Sequence, residues 1–276
     1  MERGMNMKDE EKLYKRNGIL YSTILSPPKN LDALKDLEAR AEDFMLVSYP
    51  KCGCNWMLGV LRKIMATCGY TVPERHPLIE FHSPGVQKIV AQMPSRRLLA
   101  THLHPADIPV SFKTNKTKML VVLRNPKDTV VSYYHFMNNN PMLPKVSWDK
   151  FFSDFMSGEV GWGSYFDHAL AWEKHMDDPN VLIVTYEELK ENLVDGVKKV
   201  ADFFSFTLMD EQIKVIARES TFGAMQKNPS YGKMSKILFR KGEVEDWKNH
   251  FSEAQCKQMD EEFKKKLSGT RLGAKL

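Results

Sequence analysis

No stretch of this 276-residue chain approaches the ~18 consecutive apolar residues of a membrane-spanning helix. Its first residues, Met1-Glu2-Arg3-Gly4-Met5-Asn6-Met7-Lys8, lack the apolar core of a secretory signal. Cysteine is scarce: Cys52, Cys54, Cys68 and Cys256 are too few for a disulfide scaffold. With no export signal they are expected to stay reduced, in the cytoplasm. Charge of one sign is not in large excess either. Against 40 basic residues stand 35 acidic ones, and a net charge of +5 is too mild to argue for nucleic acid. It suits an anionic small molecule. Several signatures are also missing. There is no GxxxxGKS/T of a standard nucleotide P-loop, and Gly158, Gly161 and Gly163 do not complete a GxGxxG after a strand. No GxSxG supports a hydrolase nucleophile. Cys52-Gly53-Cys54 and His102-Leu103-His104 have CxC rather than CxxC spacing, so no metal is expected.

What is present is the composition of a globular protein, 42% hydrophobic and 27% charged. Short apolar runs at Phe44–Val47, Leu98–Ala100, Met119–Leu123 and Val181–Val184 read as buried strands. Helical spacing is expected at about 129–137, 148–157, 163–176 and 187–204. Continuous apolar strands alternating with helices predict an α/β domain, its central parallel sheet flanked by helices on both faces. Leu31, Leu34 and Leu37 suggest a short helix before the first strand, and Ser252 with Gln255 forms a capping-box pattern ahead of a last helix. The tract from Gly69 to Pro94 is loop-rich and has the character of a pocket wall. Residues 1–26 are expected to be frayed, and 27–276 to form one domain.

The most informative segment is Tyr49-Pro50-Lys51-Cys52-Gly53-Cys54-Asn55-Trp56. It lies between a predicted strand and a helix with Trp56, Val60 and Ile64 on one stripe. Unpaired N–H groups at such a helix start, together with the dipole, make an anion seat. Lys51 adds a full charge, and Gly53 lets backbone approach a ligand closely. In open parallel sheets, ligands bind beyond the carboxyl ends of the strands. The other polar candidates follow strands in the same way. Arg124 and Ser132 come after Met119–Leu123; Arg124 is either a bidentate phosphate fork or a structural partner of Asp128. His102 follows Leu98–Ala100 and is either a general base or a histidine satisfied by backbone bonds. His104 should face the other way, as a structural residue. Tyr186 follows Val181–Val184, facing a purine or packing on the rim. A basic, glycine-bearing stretch ending in Arg240-Lys241-Gly242 is either a second phosphate clamp or a solvated charge run.

Taken together, YPKCGCNW, THLH, RNPKDTVVSYYHF, TYEELKENL, STFGAMQKNP and FRKGEVEDWKN resemble, in order, the sequence blocks of the cytosolic sulfotransferases, most closely the 6B branch. The resemblance runs from about Pro27 to the carboxyl terminus. It implies a single sulfotransferase domain of P-loop-kinase-like fold with a phosphosulfate-binding loop. Such an enzyme moves a sulfuryl group from 3′-phosphoadenylyl sulfate to a small apolar acceptor: a phenol, a thyroid-hormone-like phenol, a steroid or an amine. By similarity, His102 and Lys51 would be catalytic. Lys51, Cys52, Gly53, Cys54, Asn55 and Trp56 would hold the 5′-phosphosulfate, and Arg124, Ser132, Arg240, Lys241 and Gly242 the 3′-phosphate. Tyr186, Ser220, Thr221, Phe222, Gly223, Ala224 and Met225 would line the adenosine, with Leu238 and Phe239 beside them. Phe81, His82, Val86, Phe136, Met137, Met142, Phe152 and Leu238 are candidates for the acceptor pocket. No metal, nucleic acid or membrane partner is implied. Two departures stand out. Ala100 occupies a position where many relatives carry a lysine, two residues before the histidine. The family's KxxxTVxxxE dimer motif keeps only its first lysine, Lys248, which puts the usual homodimer in doubt. Two other readings remain: a binding protein for the nucleotide with little chemistry, and a small-molecule kinase.

Overall fold

Four strands of the chain pair in parallel, in the order β4-β3-β5-β6: β3 is Phe44–Ser48, β4 Leu98–Thr101, β5 Lys118–Leu123 and β6 Val181–Thr185. The computed structural model describes residues 7–72, 78–81 and 85–276. Side chains alternate along each strand, and both sides are dry. Met45, Val47, Leu99, Val121, Leu123 and Ile183 enter one core, while Phe44, Leu46, Leu98, Leu120, Val122 and Val184 enter the other. Burial on both faces is why these strands read as continuous apolar runs. Helices cover the two cores. Cys54–Thr67 lays Trp56, Met57, Val60, Leu61 and Ile64 on one of them. On the other lie Pro126–Asn139, Trp148–Ser157 and Tyr165–Glu173.

The expected elements are found with two corrections. The predicted helix over 187–204 is two helices, Tyr186–Glu191 and Leu193–Phe203. Asn192 separates them and caps the second, its side chain accepting the N–H of Asp195 at 3.1 Å. Such a cap competes with helix continuation. The second correction concerns the amino-terminal segment, expected to fray. Leu13–Arg16 (β1) and Ile19–Ser22 (β2) form an antiparallel hairpin with Arg16 opposite Ile19. Its turn is Asn17-Gly18, both at positive φ (50° and 82°), the conformation two-residue hairpins prefer. Tyr21 is buried and meets the edge of Trp162, and the Trp162 N–H donates to the Leu20 carbonyl at 2.8 Å. The hairpin thus closes one side of the domain. Near the other end, the Ser252–Gln255 capping box starts the helix Glu253–Lys266 as the spacing predicts.

The Gly69–Pro94 tract is less irregular than its composition implies. It contains the helix Gly85–Gln92, and Leu78 pairs in parallel with Ala100 at the sheet edge. Among the described residues, no helix is long and apolar enough to cross a membrane.

Candidate active site

A cavity of about 300 Å³ opens where β3, β4, β5 and β6 run out, and its walls carry most of the residues singled out from the sequence. Its floor is the turn after β3. Tyr49 is fully buried and donates its hydroxyl to the Gly163 carbonyl at 2.8 Å, which pins the turn from behind. Lys51 (φ +70°) and Gly53 (φ +107°) are both left-handed, so the backbone reverses here, with the Cys52 N–H donating to the Tyr49 carbonyl at 3.2 Å. Gly53 is the N-cap of the helix Cys54–Thr67, and no side chain caps it. A Cβ there would lie 3.0 Å from Tyr186, so the position needs glycine for space as well as for backbone.

Four cations, Lys51, Arg124, Arg240 and Lys241, line the cavity above this turn. The Lys51 ammonium lies 4.5 Å from the centre of the Phe136 ring and donates to the Leu238 carbonyl at 3.4 Å. Burial, reinforced by Arg124 and Arg240, lowers its pKa to about 7. A buried ammonium without a carboxylate partner favours whatever anion enters beside it. Arg124 is 8% exposed; its guanidinium lies 4.3 Å from the centre of the Tyr186 ring and donates to the Glu243 carbonyl at 2.8 Å. Its Nε is buried and makes no hydrogen bond. The alternative pairing with Asp128 does not form. Asp128 instead accepts the backbone N–H groups of Glu245 at 2.6 Å and Trp247 at 3.0 Å. This carboxylate therefore shapes the loop that carries Arg240 and Lys241, leaving the arginine fork to the cavity. Arg240 and Lys241 both reach Asp246, at 2.5 and 2.6 Å, and those two cations hold its carboxyl well below the usual range against the effect of burial. Gly242 (φ +69°) passes so close to Phe222 that a Cβ would lie 1.9 Å from its ring.

The base candidate stands on the opposite wall. His102 is 7% exposed, and its Nδ1 lies 2.6 Å from the Ser48 carbonyl at the end of β3. A carbonyl only accepts, so Nδ1 carries the proton and Nε2 is left as the basic nitrogen. Burial, with Lys51 nearby, lowers the imidazole pKa to about 4, which keeps the ring neutral at neutral pH. Its own backbone N–H donates to Glu80 at 2.7 Å. His104 lines a different cavity, against His168, as the alternation along an extended segment predicts.

Lys51, Gly53, Cys54, Asn55, Trp56, His102, Arg124, Ser132, Tyr186, Phe222, Leu238, Phe239, Arg240, Lys241 and Gly242 all line the cavity. Cys52 is not among these wall residues: its thiol turns to Thr129. Ser220, Thr221, Gly223, Ala224 and Met225 are also off the wall. Ser220 is buried and gives its carbonyl to Trp56 Nε1 at 2.6 Å, and Met225 packs in the core, so these two act behind the surface. Of the acceptor candidates, Phe81, Phe136, Met142 and Leu238 line the cavity, whereas Met137 and Phe152 are core residues. His82 and the Val86 side chain lie outside the described residues. Leu78 lies on the wall, as expected of the Gly69–Pro94 tract, whereas the sequence reading missed Leu25, Asn140 and Trp162 there and Glu80 behind it. Trp162 meets His102 edge-on at 5.4 Å between ring centres and Phe81 at 5.5 Å, forming an aromatic corner around the imidazole. Among the described residues, no group of three or more His, Cys, Asp or Glu side chains is placed to hold a metal ion.

Residues 41–271 match the family model described as a sulfotransferase domain. The chain is 64% identical to sulfotransferase 6B1 of Danio rerio over 282 aligned residues, covering 100% of this chain and 95% of the relative. It is 47% identical to sulfotransferase 6B1 of Homo sapiens, covering 94% of this chain and 87% of that one. Among solved structures, mouse sulfotransferase SULT7A1 complexed with PAP superposes with a TM-score of 0.86 at 35% identity, covering 95% of this chain and 96% of that one.

Proposed function

Since this chain belongs to the cytosolic sulfotransferase family and is by that membership an enzyme using 3′-phosphoadenylyl sulfate, we propose that its cavity sulfates a neutral, mostly apolar hydroxyl compound with His102 as base. The observation that carries this reading is the meeting, in one cavity, of an uncapped helix start, the partly unsatisfied cations Lys51 and Arg124, and an imidazole with Nε2 free of protons. The uncapped turn and Lys51 take the phosphosulfate. Arg124, Ser132, Arg240 and Lys241 take the 3′-phosphate, and Trp56, Tyr186 and Phe222 enclose the adenine. The orphaned Arg124 Nε and the space that Gly242 leaves beside Phe222 fit a doubly anionic nucleotide. The relative of known structure with PAP supports the same nucleotide for this cavity.

In the reaction, His102 Nε2 takes the acceptor's hydroxyl proton as that oxygen bonds to sulfur. The bond from sulfur to the 5′-phosphate oxygen breaks, and adenosine 3′,5′-bisphosphate leaves. Charge spreads over the peripheral and bridging oxygens, as in phosphoryl transfer, so fixed positive charge supplies most of the stabilisation. Ala100 is fully buried and contributes none, which concentrates that task on Lys51 and the turn N–H groups. The acceptor end is walled by Leu25, Leu78, Phe81, Phe136, Met142 and Trp162, with no carboxylate among the described cavity-lining residues there. This wall favours phenols and alcohols over amines. Transfer of radiolabelled sulfate to panels of phenols, iodinated phenols, steroids and amines tests the reading. Labelled phenolic or alcoholic esters are expected, and exclusive labelling of amines would overturn it. Ala100 also favours a second reading, a nucleotide-binding protein with weak transfer; tight nucleotide binding with no labelled product would establish that instead. Membership of the cytosolic sulfotransferase family supports a cytoplasmic location.

Lys51 also predicts a proton linkage. With its pKa near 7 in the free protein, part of the population is neutral at pH 7.5. Binding the anionic donor product restores the charge, so binding is expected to take up a fraction of a proton and to weaken as pH rises from 6.5 to 8.5. Calorimetry in two buffers of different ionisation enthalpy measures this. Equal heats in both would remove Lys51 from the anion site.

A further inference from the structure

We infer that Glu80 is the positioning residue of the catalytic base: its carboxylate fastens the end of β4, where His102 stands, to the tract that carries Phe81 on the acceptor wall. The inference rests on His102 being the base. Glu80 is fully buried and, among the described residues, has no cation paired with it. Its two oxygens are used separately. One accepts the backbone N–H of His102 at 2.7 Å, and the other accepts the hydroxyl of Thr101 at 2.8 Å. Thr101 Oγ1 in turn accepts the Leu103 N–H at 3.1 Å, so three successive residues are gathered around one carboxylate.

The other side of the link is equally fixed. Ile79 donates its N–H to the Ala100 carbonyl at 2.9 Å, and Leu78 pairs with Ala100 in parallel. Asn30 donates to the carbonyls of Ile79 at 3.3 Å and Phe81 at 3.1 Å. The Phe81 ring centre lies 5.9 Å from that of His102. Base and acceptor wall are thereby one rigid unit, with Glu80 as its joint. A buried carboxylate is an expensive way to join two loops, since only part of the lost hydration returns through two hydrogen bonds. Its pKa rises to about 7 through burial, opposed by the backbone N–H groups of His102 and of Glu80 itself, by the Thr101 hydroxyl and by the Trp162 indole. Among the described residues, the titratable groups that face it are His102, Cys54 and Tyr21, with Lys51 across the anion turn. Of these, His102 has a pKa near 4 and Cys54 near 12, and burial raises Tyr21 further. Lys51 is held charged when donor is bound. At saturating donor, Glu80 is therefore the member of this group that titrates near neutrality.

The test uses Glu80→Gln and Thr101→Val in the full chain, with kcat and KM for a phenolic acceptor at saturating donor and bisphosphate affinity by calorimetry. An amide cannot accept at both of its ends, so Glu80→Gln loosens the histidine's backbone. Displacement of a reacting group by about 1 Å is worth up to about 10²-fold. Acceptor kcat/KM is expected to fall by up to that factor, with bisphosphate affinity unchanged. Wild-type kcat/KM is expected to drop as pH falls through about 7, where Glu80 takes up its proton, and the Gln variant to be flat over the same interval. Thr101→Val, which removes the side-chain donor at one of the two oxygens, should lower kcat/KM in the same direction by less. Wild-type kcat, KM and pH profile in Glu80→Gln would overturn the inference. So would loss of bisphosphate affinity in step with turnover, which marks a general structural role. If Glu80→Gln does not fold, undiminished turnover in Thr101→Val overturns it. An active His102→Ala enzyme would instead overturn the assignment of the base.

Discussion

His102→Ala is expected to lower kcat by about 10²–10⁴-fold while leaving bisphosphate affinity nearly intact. Both parts follow from the ring's position under the proposed mechanism. Its Nδ1–H is committed to the Ser48 carbonyl, so Nε2 is the ring's unprotonated nitrogen, and the depressed pKa keeps it so through the neutral range. The ring stands against Phe81 and Trp162 on the acceptor side, away from Arg124 and Arg240. Steady-state kinetics together with calorimetry separates the two effects. Wild-type kcat in the variant would show that another group removes the proton. A matching collapse of nucleotide affinity would show that the ring holds the cofactor turn.

Lys51→Ala is expected to damage both properties. The ammonium lies in the mouth of the anion turn, and Ala100 leaves no second lysine beside it on β4. Removing one preorganised donor from a developing anion typically costs about 10²–10³ in kcat. Bisphosphate affinity should weaken as well, because the proposed binding mode sets the same ammonium against the product's 5′-phosphate. Lys51→Arg tests the role of charge apart from shape. It should recover binding more than rate, since a longer planar fork reaches the phosphate without reproducing the point charge at the bridging oxygen. Normal rate and affinity in Lys51→Ala would refute the part given to this residue.

The sheet was legible because all four of its strands are buried on both faces, so each wrote an uninterrupted apolar run at a distance that only parallel crossovers explain. Most of the cavity was legible for a related reason: polar groups placed directly after such strands end up at one edge of the sheet. The hairpin was misread although its signal, Asn17-Gly18, was present. The surrounding charged residues outweighed it in a reading by composition. Asn192 is another local signal that helix-period counting passed over. Glu80 was beyond reach for a different reason. It lies in a tract without periodicity, and its partners Thr101 and His102 are 21 and 22 residues away, so only the folded chain shows what it holds. The choice between phosphate fork and ion pair for Arg124 was likewise tertiary. It depended on the loop at Glu245 and Trp247 occupying Asp128.

The proposed function stands or falls on whether the cations at the ends of the strands form a nucleotide anion site. Calorimetric titration of the purified full chain with adenosine 3′,5′-bisphosphate, in the presence of a chelator, decides this. One site per chain with micromolar or tighter Kd, weakened strongly by Arg124→Ala, is the predicted result. No measurable binding at millimolar nucleotide, or binding indifferent to Arg124→Ala, would contradict it.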